Sequence, residues 1–190
     1  MTHARSLVAK IVSGNKRAFQ SLIQEYQRLV SHIVFRMISN QADQEDICQD
    51  VFVKVYQNLK EFQFESKLST WIAKIAYNTC INFLEKKKTV LFDDLASEGH
   101  SLDNCSANDT LQDESAVKND LSFRLRAEIE KMPIHFRTIL TLYHLDEMSY
   151  NEISEIMQLP EGTVKSYLFR ARRLLKEKLL SKYRKEELWN

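Results

Sequence analysis

Glycine and proline are scarce in this chain, whose 190 residues contain three glycines and two prolines. An average protein of this length has about four times as many. Strand-rich folds need both residues in their turns, and no segment alternates apolar and polar side chains between turns as a half-buried strand would. The shortage therefore argues against β-sheets and predicts an all-α protein.

Cysteine is also rare. Cys48, Cys80 and Cys105 are too few and too widely spaced for a disulfide framework or a zinc site. Cys48 and Cys80 fall on apolar helical stripes, so we expect both to be small core residues. Cys105 lies in a polar segment, and we expect it to have no functional role. Oxidation of its thiol is the alternative. No metal site and no cofactor are predicted, because the histidines show no ligand spacing either. They are His3, His32, His100, His135 and His144.

Long apolar runs and catalytic clusters are missing as well. No segment approaches the roughly 18 to 20 apolar residues of a membrane span, and the first ten residues lack the apolar stretch of a signal peptide. We therefore expect a cytoplasmic protein without membrane insertion. A helical nuclease would need several carboxylate or histidine ligands, and Asp46 with Asp50 is too small a set. The chain is not expected to be an enzyme.

The charge is distributed unevenly, although its net value is only +1. Residues 1–88 carry 13 basic and 8 acidic side chains, residues 89–120 carry one basic and 8 acidic, and residues 121–190 carry 13 and 10. The segment 89–116 also loses helical periodicity and is rich in Asp, Ser, Asn and Thr. We predict two small helical domains, 1–88 and 117–190, joined by an acidic flexible linker.

Four helices are expected in the first domain, near residues 4–12, 15–39, 43–60 and 69–87. Asn15, Asp43 and Ser69 are the predicted caps. In the second domain the helical pattern resumes near residue 117, breaks at Met132 and Pro133, and continues to Asp146. A tight pair of helices follows.

Residues 149–175 have the pattern of a helix-turn-helix. Ser149 and Glu152 are spaced as a capping box at the start of a short helix, and Pro160 suits the start of the next one. Along that second helix a stripe of residues recurs at helical spacing and should pack inward. The stripe consists of Val164, Leu168, Ala171, Leu175 and Leu179.

The opposite face of this second helix is polar, aromatic and basic. Its residues are Thr163, Ser166, Phe169, Arg170 and Arg173. Six basic residues lie between Glu161 and Lys178 against two acidic ones, so attraction to DNA phosphates would be favourable and salt dependent. Hydroxyl and guanidinium groups can also contact base edges in a major groove. An ordinary solvated face is the alternative, and the agreement of cap, turn, stripe and charge favours DNA.

The predicted helix 43–60 has a mixed outer face. Its inward stripe is Ile47, Cys48, Val51, Phe52, Val55 and Leu59, and its outward residues are Asp46, Gln49, Asp50, Val53 and Tyr56. Apolar area rimmed by carboxylates is typical of a protein docking surface. A solvated face with Val53 covered by a neighbour explains the spacing equally well.

The next predicted helix combines aromatic, basic and amide side chains on its outer face, namely Trp71, Lys74, Tyr77 and Asn78. Its inward residues are Ile72, Ile75, Ala76, Thr79, Cys80 and Phe83. Phe62 and Phe64 lie in the preceding loop, and Lys86, Lys87 and Lys88 follow near the end. Rings on which bases stack and lysines that follow the backbone are typical of single-strand binding. Burial of the two phenylalanines and Trp71 in the core is the more common outcome of such a pattern.

These segments resemble a known family. The run DQEDICQDVFVKVYQNLKEFQFESKLSTWIAKIAYNTCINFLEKKK is similar to region two of bacterial extracytoplasmic-function sigma factors, and MPIHFRTILTLYHLDEMSYNEISEIMQLPEGTVKSYLFRARRLLKEKL is similar to their region four. The resemblance covers nearly the whole chain except the linker. It implies a protein that binds core RNA polymerase and directs it to promoters.

The resemblance also implies roles for individual residues. Those implied to dock on the largest polymerase subunit are Asp46, Gln49, Asp50, Val53 and Tyr56. Those implied to open and read the single-stranded minus-ten element are Phe64, Lys67, Ser69, Thr70, Trp71, Lys74, Tyr77 and Asn78. Those implied to contact the minus-thirty-five duplex are Thr163, Lys165, Ser166, Phe169, Arg170 and Arg173. The acidic linker would occupy a basic channel of polymerase until RNA displaces it.

The chain departs from the family in one motif. Many relatives carry Arg-Leu-His-Arg-Ala-Arg where this chain has Tyr167-Leu-Phe-Arg-Ala-Arg172. One usual basic contact is therefore absent, and the family pattern does not fix the promoter sequence that this chain prefers. We expect a monomer when free, an anti-sigma factor as a candidate partner, and no sensory domain beyond the helix ending near Trp189. A stand-alone helix-turn-helix regulator is the alternative function.

Overall fold

A computed structural model describes residues 2–96 and 121–183 of the chain. All regular elements in these two ranges are helices, which confirms the all-α prediction. The helices are α1 Thr2–Val12, α2 Lys16–Met37, α3 Gln41–Asn58, α4 Leu68–Ala96, α5 Leu121–Glu130, α6 Ile134–His144, α7 Tyr150–Met157 and α8 Glu161–Lys182, with a turn of 3-10 helix at Leu59–Glu61. The chain divides into one unit built from α1 to α4 and a second built from α5, α6, α8 and most of α7.

The first unit is held together by apolar side chains that recur at helical spacing. The fully buried residues of α2 are Leu22, Val30, Ile33 and Val34. Helices α3 and α4 pack against α2, and their fully buried residues are Val51, Val55, Ile72, Ala73, Ala76 and Cys80. Burying one such large aliphatic side chain contributes about 1.5–3 kcal/mol. The predicted inward stripes of the third and fourth helices therefore contribute to the core of this unit, while four of their members stay half-buried, namely Cys48, Phe52, Ile75 and Phe83.

Two of the three predicted caps differ from the structure. Asn15 caps α2 as expected, since its side chain accepts a hydrogen bond from the Ala18 amide at 3.1 Å. Asp43 does not cap α3, because Asn40 accepts from the Asp43 amide at 3.1 Å and the helix begins at Gln41. Ser69 lies inside α4, which begins one residue earlier.

Of the two cysteines predicted to be core residues, Cys80 lies in the core and Cys48 lies at its edge. Cys80 is fully buried and Cys48 is half-buried. Burial raises the pKa of the Cys80 thiol to about 12, so this thiol is neutral at physiological pH and behaves as a small core residue. Cys105 lies outside the described residues.

Helix α4 is longer than its sequence predicts. It continues to Ala96, whereas the sequence predicts that the linker begins at residue 89. The rest of the predicted linker, from residue 97, lies outside the described residues, as does the chain from 184. None of the described helices has an apolar stretch long enough to cross a membrane.

In the second unit, α6 and α8 pack together around another apolar core. Ile139 and Leu142 of α6 and Val164, Leu168 and Ala171 of α8 are buried. The predicted break at Met132 and Pro133 is confirmed, because α5 ends at Glu130 and α6 begins after Pro133. The predicted inward stripe of α8 becomes half-buried at Leu175 and Leu179, toward the end of the helix.

A buried carboxylate joins the two ends of this unit. Glu128 of α5 is 3% exposed and accepts hydrogen bonds from Lys182 of α8 at 2.8 Å and from Lys131 at 3.1 Å. Burial by itself would raise the pKa of Glu128, but the two lysines outweigh burial and lower it. The ionised carboxylate is therefore the form that the fold stabilises.

Replacing Glu128 by Gln should weaken the junction of α5 and α8 by about 2 kcal/mol, because two charge-assisted hydrogen bonds lose their acceptor charge. The pKa of Glu128 is lower in the folded chain, so its contribution is complete above the ordinary pKa of about 4.3 and is lost as the pH falls further. Hydrogen exchange of the α5 and α8 amides in the full chain, followed from pH 7 to pH 3, measures both effects.

Glu147→Gln is the matched control, since Glu147 is exposed in the loop before α7. It should leave the exchange profile unchanged. Equal protection of α5 in wild type and Glu128→Gln would contradict a stabilising role for the buried carboxylate.

Candidate protein and nucleic-acid interfaces

The outer face of α3 is exposed as its spacing predicts. Asp46, Gln49 and Asp50 are exposed, and Val53 and Tyr56 are 51% and 52% exposed despite their apolar side chains. These two exposed residues lie one turn apart, next to carboxylates, and form an apolar patch whose exposure to water is unfavourable. This arrangement removes the alternative in which a neighbouring element covers Val53.

A groove between α2 and α3 extends this apolar surface. Its cavity of about 530 Å³ is lined by Phe19, Ile23, Gln27, Ser31, Cys48, Gln49, Phe52, Val53, Tyr56 and Gln57. The rings of Phe19 and Tyr56 meet edge to face with centroids 4.9 Å apart, so α2 forms one wall and α3 the other. We name this surface the α2–α3 groove.

The α2 wall of this groove does not follow from the sequence of α3 alone. Phe19, Ile23, Gln27 and Ser31 recur every fourth residue along α2, next to its buried stripe. This second stripe is visible in the sequence. Its position opposite α3 depends on how the two helices pack.

Two acidic residues of α3 form ion pairs with lysines. Asp50 pairs with Lys54 at 3.3 Å in an exposed ion pair, and Asp43 pairs with Lys87 of α4 at 3.2 Å. Exposed pairs of this kind contribute little to stability. The carboxylates can therefore reorient toward a basic partner at small cost.

The loop before α4 is organised by aromatic contacts. Phe62 is buried, and its ring lies 4.6 Å from Phe64 and 5.1 Å from Trp71. Phe62 thus belongs to the core, as the alternative interpretation of the two phenylalanines predicts. Phe64 and Trp71 stay half-buried, with part of each ring at the surface.

Most of the residues expected on this surface are accessible. Lys67 is exposed, and Ser69, Lys74, Tyr77 and Asn78 are half-buried. Thr70 is the exception, because its side chain is completely buried and cannot contact DNA in this conformation. Burial raises the pKa of the Tyr77 hydroxyl, which keeps it a neutral hydrogen-bond donor.

The turn that presents α8 is fixed by local hydrogen bonds. The Ser149 hydroxyl accepts from the Glu152 amide at 3.3 Å, and the Glu152 carboxylate accepts from the Ser149 amide at 2.9 Å. This is the predicted capping box. At the other end of α7, Gln158 has a φ of 55°, and the Ser154 hydroxyl donates to the Leu159 carbonyl at 2.6 Å.

The outer face of α8 has the predicted composition. Phe169 is 66% exposed, Lys165, Arg170 and Arg173 are exposed, and Thr163 and Ser166 are half-buried. Lys165 pairs with Glu161 at 2.7 Å and Arg173 with Glu177 at 3.2 Å. The hydrogen bond to Glu161 raises the pKa of Lys165, so the face stays cationic.

A platform of aromatic side chains supports one side of α8. The rings of Tyr143 and Tyr150 stack with centroids 5.3 Å apart. The Arg172 guanidinium lies 5.0 Å from the Tyr143 ring centre, and the Lys165 ammonium lies 5.4 Å from that of Tyr150. Cation–π contacts of this kind favour defined side-chain positions. The sequence alone does not predict this platform, since its members come from three helices.

Arg172 is also held by a histidine. Its Nε donates to His144 Nε2 at 3.2 Å. Burial, with the nearby Arg172 charge, lowers the pKa of His144, which keeps the imidazole neutral and able to accept. Within residues 2–96 and 121–183 no group of three or more His, Cys, Asp or Glu side chains is placed to bind a metal ion.

Comparison with protein families identifies both units. Residues 22–90 match the family described as Sigma-70 region 2, and residues 122–175 match Sigma-70, region 4. The two matches together cover more than half of the chain. They occur in the order in which the two units occur.

Individual proteins are similar over nearly the whole chain. The ECF RNA polymerase sigma factor SigW of Bacillus subtilis is 32% identical, covering 90% of this chain and 94% of that protein. The ECF RNA polymerase sigma-E factor of Escherichia coli strain K12 is 35% identical, with 91% and 92% covered. The sigma-E factor of Haemophilus influenzae is 32% identical, with 92% and 94% covered.

Solved structures share the fold at lower identity. CnrH, determined in complex with the cytosolic domain of CnrY, aligns with a TM-score of 0.64 at 21% identity and covers 94% of this chain and 98% of that chain. The sigma factor RpoE of Bartonella quintana, determined with the anti-sigma factor NepR, aligns with a TM-score of 0.64 at 19% identity, with 87% and 98% covered.

Replacing Ser149 by Ala should destabilise the start of α7 by about 1 kcal/mol, because the Glu152 amide loses the acceptor that caps it. Hydrogen exchange of the α7 amides in the full chain measures the loss. Ser181→Ala is the control, since the Ser181 hydroxyl bonds to a carbonyl of its own helix, that of Lys178. Unchanged protection of α7 in Ser149→Ala would show that the capping box does not hold the turn.

Proposed function

The chain belongs to the extracytoplasmic-function group of the sigma-70 family of RNA polymerase sigma factors, and from this membership we propose how its surfaces divide the family's task. It is a sigma factor, which directs core polymerase to specific promoters and so initiates transcription. The main support for this division is the outer face of α8. There Phe169 and several basic side chains are exposed, and the helix that precedes α8 begins with a capping box.

We propose that core polymerase docks on the α2–α3 groove. The groove offers apolar area at its centre, with Val53 and Tyr56 exposed, and carboxylates on its α3 side. A partner with an apolar ridge flanked by basic residues would bury the ridge and pair with Asp46 and Asp50. The glutamines that line the groove, Gln27, Gln49 and Gln57, would supply hydrogen bonds at the rim.

The loop before α4 and the first turns of that helix are proposed to bind the opened minus-ten strand. Phe64 and Trp71 keep part of their rings at the surface, where unstacked bases can lie on them. Lys67 and Lys74 would follow the phosphates. Ser69, Tyr77 and Asn78 would hydrogen-bond to base edges, whereas the buried Thr70 would support the helix from within.

The outer face of α8 is proposed to read the minus-thirty-five duplex. Arg170 and Arg173 can donate to phosphates or to guanine, and Thr163 and Ser166 can contact base edges or phosphates. Lys165 is positioned over Tyr150 at the start of the helix. Phe169 occupies the place of a basic or polar family residue, so an apolar contact with thymine methyl groups is expected there.

The remaining assignments follow from this task. Polymerase supplies the chemistry of RNA synthesis, so the chain needs no catalytic residue and no cofactor of its own. It would act in the cytoplasm, where polymerase is, and we propose that it is a monomer when free. An anti-sigma factor that covers the α2–α3 groove would prevent docking.

The stand-alone regulator is the weaker interpretation. Such a protein needs a dimer interface and a sensor in its first half. The first unit instead exposes an apolar groove and a loop of aromatic side chains, and it matches sigma region 2.

The decisive experiment is in vitro transcription with purified core polymerase lacking any other sigma factor. Defined start sites, mapped by sequencing the RNA ends, are expected only when this chain is added. Tight and sequence-specific binding of promoter DNA by the chain alone would contradict the proposal, because promoter recognition would then not require polymerase.

Val53→Glu should weaken the binding of core polymerase at least about tenfold, because the carboxylate would be buried without a partner at the centre of the groove. Titration of core polymerase with labelled sigma factor measures the affinity. Val12→Glu is the matched control, since Val12 is exposed to a similar degree, 55%, on α1. Equal affinities of the two variants would remove the docking assignment.

Arg170→Ala should reduce initiation from promoters that depend on the minus-thirty-five element about tenfold and lower the salt dependence of promoter binding by about one phosphate contact. Polymerase binding should not change. Arg126→Ala removes one positive charge from an exposed position on α5 of the same unit and should have a much smaller effect. If the two substitutions act equally, α8 contributes general attraction and not groove recognition.

A further inference from the structure

The loop before α4 contains a strained residue. Phe64 has a φ of +59°, in the left-handed region that non-glycine side chains rarely adopt and that costs free energy for a bulky residue. Such a conformation persists where the surrounding contacts hold it. In this loop the strained residue also carries one of the two rings proposed to receive a base.

Contacts with Phe62 and Arg5 hold the Phe64 ring. The first is the buried Phe62 ring, 4.6 Å away, which itself packs on Trp71. The second comes from a distant part of the sequence, because the guanidinium carbon of Arg5 lies 5.3 Å from the Phe64 ring centre. A guanidinium at this distance over a ring makes a cation–π contact.

Helix α1 presents Arg5 from a fixed position. Leu7, Val8 and Ile11 of α1 are buried, and the helix packs against α2 and against the 3-10 turn Leu59–Glu61 that leads into the loop. Arg5 is therefore held by the core on the side from which the loop starts. Its own side chain stays exposed.

We infer that Arg5 is a positioning residue for minus-ten recognition, holding Phe64 in the conformation that presents its ring to an unstacked base. The inference rests on the proposed function of the loop. It assigns a role to α1, which precedes residues 22–90, the part that matches Sigma-70 region 2. Because the guanidinium is exposed, its N–H groups can in addition donate to a phosphate of the same strand.

A merely structural role for Arg5 predicts a different result. If Arg5 only stabilised α1, its loss would lower the affinity for polymerase and reduce initiation from all promoters alike. A positioning role changes the discrimination between minus-ten sequences while polymerase affinity stays the same. The informative measurement is therefore a discrimination ratio. It divides the initiation rate on a promoter with its own minus-ten element by the rate on the same promoter with one base of that element changed.

The experiment uses the full chain with core polymerase, on promoters identified from the wild-type start sites, both as duplex and with the minus-ten element opened beforehand by mismatches. Arg5→Ala should lower the discrimination ratio about threefold on both templates, as expected for the loss of an exposed cation–π contact. Arg5→Lys should recover part of it. Arg28→Ala, which removes an exposed arginine from α2, should leave the ratio unchanged.

Coupling to Phe64 is tested by a double-mutant cycle. If Arg5 acts through the ring, Phe64→Leu and the double variant should show the same ratio, whereas independent roles give additive losses. Additive losses, an unchanged ratio in Arg5→Ala, or weaker polymerase binding by this variant would each overturn the inference. Failure of the wild-type chain to start transcription at all would instead overturn the proposed function.

Discussion

The burial of a continuous apolar stripe along each helix is the interaction on which the rest of this structure depends. Neighbouring residues in a helix point about 100° apart, so a stripe that faces the core determines which residues face outward. With Val51 and Val55 fully buried on α3, the residue between them, Val53, must be exposed. The α2–α3 groove and the outer face of α8 are thus consequences of the same packing that stabilises the two units.

The features that could be predicted from the sequence are the ones that depend on a few neighbouring residues. The capping box of Ser149 and Glu152, the break at Pro133 and the inward stripes all arise from spacings of at most a turn or two. The predicted cap of α3, Asp43, is wrong, because the helix already begins at Gln41. Asn40 caps α3 and Asp43 falls in its first turn, where a carboxylate is favourable beside the helix dipole.

Features that depend on how helices meet could not be predicted in the same way. Thr70 lies between Ser69 and Trp71 in a segment of mixed polarity, and its complete burial depends on the neighbouring elements that cover that side of α4. The wall that Phe19 and Ile23 contribute to the groove, the Tyr143 and Tyr150 platform, and the contact of Arg5 with Phe64 all join distant parts of the sequence. A single helical pattern contains no information about its partner.

The charge of the α8 face shows why surface composition alone overstates attraction to DNA. Lys165 and Arg173 each pair with a glutamate four residues away, and those carboxylates would repel the phosphates that the cations attract. An exposed pair of this kind contributes little stability, so a DNA phosphate in the right position can replace the glutamate as the partner of the cation. A phosphate in a poor position would interact with the cation more weakly than the glutamate does. The free face is therefore less attractive to DNA than its basic residues imply. A separate enzyme that fixes the face against one stretch of duplex would supply the placement that favours this exchange.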